Sequence, residues 1–128
     1  MKKITIMGEE LNENAHIEEI INGKKQAFCT PEVWYGKAEG ESEATVGDQI
    51  VLLDPSGKER VVIEITDIQK IRFDEADEKL SRAELDCDLQ DFRDAHRFYW
   101  EEELAEDNIV FDDSLIIIVE YFKIINIY

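Results

Sequence analysis

The strand-like stretches of this chain follow one another too closely for most of them to be joined by crossovers, and that spacing constrains the fold more than any other feature. Gln49 to Leu53 is apolar enough to be buried on both faces, and Arg60 to Thr66 alternates, with Val61, Ile63 and Ile65 on one side. Between them Asp54-Pro55-Ser56-Gly57 places Asp, Pro and Gly where a type I turn prefers them. The two runs therefore form a hairpin. A parallel pair needs a dozen or more connecting residues, which these runs do not have. The sheet expected is mostly antiparallel.

The helical signals fit around that sheet. Asn12 or Asn14 can cap a helix whose apolar positions are Ile17, Ile20 and Ile21, and Gly23 stands where a left-handed residue would end it. Lys24 and Lys25 follow at the negative end of the helix dipole. Gln26 to Thr30 reads as a short strand. Pro31 to Thr45, which carries Trp34, Tyr35, Gly36 and Gly40, reads as a loop of the length that forms functional lids or disordered links. Lys70 to Phe73 reads as a further short strand, and Asp74 to Glu84 as acidic and partly helical. Asp88 can cap a helix running to about Ala105, with Leu89, Phe92, Ala95, His96 and Tyr99 on its apolar stripe. Ser114 to Tyr128 is a closing strand. The order gives one α+β domain over residues 1–128, a small mixed β-barrel with flanking helices.

Charge narrows the partners. The formal net charge is −17, against a globular hydrophobic share of 44%. Non-specific affinity for nucleic acid comes from Lys and Arg neutralising phosphates, so double-stranded DNA is not an expected partner. Screening within about 10 Å still permits a locally basic cleft, so a nucleic-acid ligand would enter a pocket and not lie on a basic face. No run approaches the ~20 apolar residues of a membrane span. Met1 to Gly8 has too short an apolar run for a signal peptide, so the expectation is a cytoplasmic protein with Cys29 and Cys87 as reduced thiols. There is no P-loop or dinucleotide fingerprint, no cofactor is expected, and no His/Cys set or calcium-loop spacing suggests a metal.

Several motifs occur in one order. A helix ends in Gly23-Lys24-Lys25 and is followed by Gln26-Ala27-Phe28-Cys29-Thr30; Val46-Gly47-Asp48 precedes a strand, and the Asp54-Pro55-Ser56-Gly57 tip follows. Then come Ile71-Arg72-Phe73-Asp74-Glu75, Ser81-Arg82-Ala83-Glu84-Leu85-Asp86, a helix bearing Phe92-Arg93-Asp94-Ala95-His96, and the strand Ile118 to Ile124. The series resembles the ASCH domain family over nearly the whole chain. That resemblance implies a PUA-like barrel related to folds that bind RNA or modified bases. It also implies, for some members, hydrolysis of acetylated cytidine by a Lys, a Thr and a Glu, and for others ribonuclease activity. The family's Lys falls on Lys25 and its Glu on Glu84, but its Thr falls on Phe28; Leu85 stands for a Gly and Arg82 for a Glu.

The chemistry expected of each candidate follows from its side chain. Lys25 can act as a base or polarise a carbonyl, or it can simply favour the helix terminus. Glu84 can pair with Lys25 or accept hydrogen bonds from a base edge, in a chain where 31 acidic residues make solvated Glu the norm. Phe28 cannot donate to an oxyanion but can stack on a base, and it equally suits a core position. Trp34 and Tyr35 are either stacking platforms or anchors for their loop. Asp86 can bind ligand or cap its segment, while Arg93 and His96 can reach a phosphate or carboxylate. On the apolar stripe His96 also suits a half-buried, satisfied histidine. Cys29 as a nucleophile has no neighbouring triad to specify it.

Three functions compete. One is a binding module for a modified nucleoside or a short single-stranded RNA feature, favoured by the aromatic at the Thr position. The second is an amidohydrolase or ribonuclease using Lys25 and Glu84. The third is an acidic domain that meets a basic protein.

Overall fold

The computed structural model describes residues 1–37 and 43–128. Its elements are β1 (Lys2–Thr5), α1 (Ala15–Ile21), β2 (Ala27–Pro31), β3 (Gln49–Leu53), β4 (Glu59–Arg72), α2 (Glu78–Leu85), α3 (Leu89–Glu106) and β5 (Ile116–Ile127), with a 3-10 turn at Phe73–Glu75. The sheet order is β1-β3-β4-β5-β2. Among the described residues only β1 pairs in parallel, with β3; the other pairs are antiparallel. The five strands curve into a half-barrel whose two edges are β1 and β2.

Local chemistry accounts for the helix ends. Asn14 begins α1 without a side-chain cap, and Asn12 Oδ1 accepts from the Asn14 amide at 3.2 Å. At the other end Gly23 adopts φ +84°, which lets the amides of Lys24 and Lys25 both donate to the Glu19 carbonyl, at 2.9 and 3.0 Å. That turn aims the chain from α1 into β2 and fixes where Lys25 leaves it. Asp77 Oδ1 accepts from the Leu80 amide and Asp88 Oδ1 from the Asp91 amide, capping α2 and α3.

Alternation along the strands divides the core between the two faces of the sheet. Ala27, Ile117, Val119 and Tyr121 pack with Leu80 of α2 and with Phe92, Trp100 and Leu104 of α3. The opposite parity, with Ile50, Leu52, Ile63, Ile65 and Phe122, packs against Ile17 and Ile20 of α1. On α3 the buried side chains are Phe92, His96, Trp100 and Leu104, a strict four-residue spacing. Tyr99, expected on the stripe, is 53% exposed.

Two strand expectations change. Arg60 to Thr66 and Lys70 to Phe73 are not separate strands; β4 is one strand of 14 residues. Register shifts at Val62/Ile63 and Ile65/Asp67 break the alternation without ending the pairing with β5. β1, unforeseen, lies along β3 with Ile4 opposite Leu52. The expected long loop begins with turns at Glu32 to Lys37, and its residues 38–42 lie outside the described residues. Among the described residues no helix is long and apolar enough to cross a membrane.

Gly8 follows β1 at a place where the chain passes very close to itself. A Cβ there would overlap the Glu13 carbonyl oxygen, a backbone atom with no rotamer to move. Gly8→Ala should therefore lower stability by about 1–3 kcal/mol, read as a shift in urea midpoint with unchanged m-value.

Candidate functional site

The open edges of the half-barrel frame a cavity of about 240 Å³. β2 supplies Phe28 and Thr30, which share one face of the strand, and β5 supplies Glu120, whose register partner is Phe28. Ile4, Ile50 and Ile65 provide an apolar floor, and Tyr35 and Gly36 border it. Lys25 and Glu84, arriving from the α1 exit and from α2, complete the lining.

The Lys25 and Glu84 side chains are only 12% and 6% exposed. Lys25 Nζ donates to the Glu84 main-chain oxygen at 3.1 Å and lies 3.9 Å from Glu84 Oε1. A primary ammonium has three donors, so this arrangement leaves hydrogen-bonding capacity unused. Nζ also stands 5.8 Å from the centroid of the Phe28 ring, which is itself held against Phe122 at 4.7 Å. On its other side Glu84 faces His96: Oε1 is 3.3 Å from Nε2 but poorly aligned for a hydrogen bond. Glu84 Oε2 and both His96 ring nitrogens are buried with no hydrogen-bond partner among the described residues. Buried polar atoms left in that state are costly and uncommon, and sites of function are where they are found.

A second cavity, of about 550 Å³, opens on the α3 side of the same wall. Lys25, Phe28, Cys29 and Glu84 line both spaces, so the two meet at the Lys25–Glu84 pair. His96, Tyr99 and Trp100 line the second.

Tyr35 and Cys29 show how dry the surroundings are. The Tyr35 hydroxyl accepts from the Ala44 amide at 3.0 Å and donates to Glu120 Oε2 at 3.1 Å. Burial, ahead of the Glu120 charge, pushes its pKa up to about 12, so it stays a neutral donor. Burial likewise pushes the Cys29 thiol well above its ordinary value, with the Glu84 charge adding to the effect against Lys25. A thiol held protonated in this way is a poor nucleophile, and Cys29 is a wall residue.

The structure thus brings Lys25, Phe28, Glu84 and Tyr35 to one cavity and sets His96 behind Glu84. It does not bring the other candidates there. Trp34 packs against the α3-side core and donates from Nε1 to Asp107 Oδ2 at 3.2 Å, so it anchors its loop away from the cleft. Asp86 is exposed and takes φ 53° at the end of α2, in the left-handed conformation that suits a short polar residue. Arg93 is half-buried on α3 and lines neither cavity. His96 is buried, at 3% exposure, but is not the satisfied core histidine its stripe suggested. Thr30 and Glu120 were missed. The sequence signal for both was strand parity, with Thr30 two residues beyond Phe28 and Glu120 on the cleft-facing side of β5. Among the described residues no cluster of His, Cys, Asp and Glu could hold a metal ion.

The chain is similar to the crystal structure of an ASCH domain from Lactobacillus crispatus JV V101, with a TM-score of 0.80 and 29% identity, covering 96% of this chain and 78% of that one. It is also similar in fold to protein EF3133 from Enterococcus faecalis V583, with a TM-score of 0.80 at 22% identity, covering 100% of this chain and 82% of that one. No curated protein matches. The α+β half-barrel with three helices is the PUA-like fold expected from the motif order. The ASCH domain profile matches residues 3–126, and the chain belongs to the ASCH domain family.

Proposed function

We propose that the cleft binds one uncharged heterocycle, either a free nucleoside, plain or modified, or an unpaired base of single-stranded RNA. The observation that carries this reading is the nearly dry Lys25–Glu84 pair, with unused hydrogen-bonding capacity, at the end of an aromatic-walled cavity of about 240 Å³. A nucleobase edge presents N–H donors and carbonyl or ring-nitrogen acceptors side by side, which complement a carboxylate beside an ammonium. Phe28 adds a face for stacking. Among the described residues the inner cavity is lined by two lysines, Lys2 and Lys25, and two carboxylates, Glu84 and Glu120, a balance that gives no net attraction for a polyphosphate. The chain's charge of −17 works in the same direction.

One observation favours a hydrolytic reading beside the binding one. The family's Thr position holds Phe28, but Thr30 lines the same cavity from the same strand face. Acylated cytidine would be the substrate class to try.

Ligand-observed NMR with plain and modified nucleosides and short single-stranded RNAs tests both readings, with the same samples followed for release of an acyl group. At least one nucleoside should bind, and Phe28→Ala should weaken it about tenfold by removing a stacked face. Absence of binding across the panel, or affinity untouched in Phe28→Ala, overturns the proposal. Product formation that is lost in Thr30→Val would move the protein to the hydrolytic reading.

A further inference from the structure

We infer that the cleft has two chambers and accepts a two-residue segment of single-stranded RNA, one base in the inner chamber and its phosphate-linked neighbour in the outer one. This inference rests on the base-binding reading of the inner chamber. Three observations carry it.

The first is continuity. The two cavities adjoin, because Lys25, Phe28, Cys29 and Glu84 line both. A ligand held at the Lys25–Glu84 pair lies against the outer space, which at about 550 Å³ is the larger of the two.

The second is charge. The outer chamber is less acidic than the chain as a whole: among the described residues its lining includes Lys25, His16 and His96, with Glu84 as the one acidic member. The inner chamber balances Lys2 and Lys25 against Glu84 and Glu120. One phosphodiester is tolerable at the outer rim, where a run of phosphates along the acidic surface is not. His16 lies beside Glu19 at 3.5 Å, half-exposed, and can turn its ring toward an anion.

The third is unspent aromatic and polar surface. Tyr99 is 53% exposed and Met7 67% exposed at the outer chamber. His96 lines the same chamber with its ring 6.0 Å from that of Tyr99, only 3% exposed and with both ring nitrogens unpartnered among the described residues. An exposed tyrosine ring beside an unsatisfied buried imidazole suits a planar ligand that stacks on the first and hydrogen-bonds toward the second.

Calorimetric titration separates this inference from the reading beneath it. Adenosine, cytidine, guanosine and uridine are titrated beside the dinucleoside monophosphates made from them. The best dinucleoside monophosphate should bind about tenfold tighter than its best nucleoside, the effect of one added stacked ring. Tyr99→Ala, an exposed position whose loss leaves the core intact, should remove that gain and leave nucleoside affinity where it was. If nucleosides bind and the dinucleotides bind no tighter, or if Tyr99→Ala weakens both equally, the two-chamber inference fails and the inner site stands. If neither class binds, both fail.

Discussion

Lys25→Met will lower the stability of the domain by about 3 kcal/mol and abolish nucleoside binding, the lower end of what removing one member of a buried ion pair costs. Methionine keeps most of the lysine's stem and volume, so packing against Phe28 survives and the charge is what is lost. Glu84, 6% exposed, then keeps only a misaligned His96 at 3.3 Å. A carboxylate in that position has little solvent and no counter-ion to hold its charge. The double variant Lys25→Met/Glu84→Leu removes the stranded charge as well. Apolar replacement of buried pairs is commonly neutral or stabilising, so the double variant should return to within about 1 kcal/mol of the parent. It should still bind nothing. Urea unfolding and the NMR panel on the two variants read both halves. Stability recovered without binding would show that the pair is kept for its ligand and not for the fold. If Lys25→Met binds nucleosides as tightly as the parent, Lys25 has no part in recognition.

Much of the fold was legible because its signals are local. The Asp54-Pro55-Ser56-Gly57 hairpin, the Gly23 exit and the Asp88 cap each depend on a few adjacent residues, and each stands where those residues put it. What failed depends on partners distant in sequence. β4 looked like two strands because Asp67 and Gln69 interrupt its alternation, and only pairing with β5 through a bulge carries the chain past them. β1 has two β-branched residues, Ile4 and Thr5, within its four; that is too little to register until β3 lies beside it. The helical stripe was misjudged by one position for a similar reason. Ala95 and Tyr99 fit the same periodicity as Trp100 and Leu104, and only the sheet decides which side is covered.

The site was less legible. Nothing local distinguishes Glu84 from the chain's other acidic residues, and it was singled out only through the family's motif order. What sets it apart is burial beside Lys25 and His96, contacts made across 59 residues in one direction and 12 in the other. Trp34 invited a ligand role because loop aromatics often stack, but its indole N–H found Asp107, a residue 73 positions away. Glu120 lies within the closing strand with no motif of its own to mark it; its register opposite Phe28 makes it a cleft residue.

Phe92→Ala will destabilise the domain by about 3–5 kcal/mol, the largest single-site loss expected in the α3 core. Phe92 is fully buried, at 0% exposure, and its ring lies 6.2 Å from Phe73 and 4.4 Å from His96. Truncation opens a void between the helix and the sheet that rigid strands cannot close. For a chain of this size the melting temperature should fall by roughly 10 °C or more. The loss should also reach the cleft. His96 is held by aromatic contacts, edge-on to Phe92 and tilted over Trp100 at 4.2 Å, and not by hydrogen bonds of its own. With Phe92 gone the imidazole is free to tilt away from Glu84, and the carboxylate loses its fixed position. Leu104→Ala is the control. That residue is equally buried on the same helix two turns beyond His96, and its loss should cost about 2–5 kcal/mol. Measured at a temperature where both variants are fully folded, nucleoside affinity should fall in Phe92→Ala and hold in Leu104→Ala. Equal affinities in the two would reduce Phe92 to a packing residue and leave His96 with no role in holding Glu84.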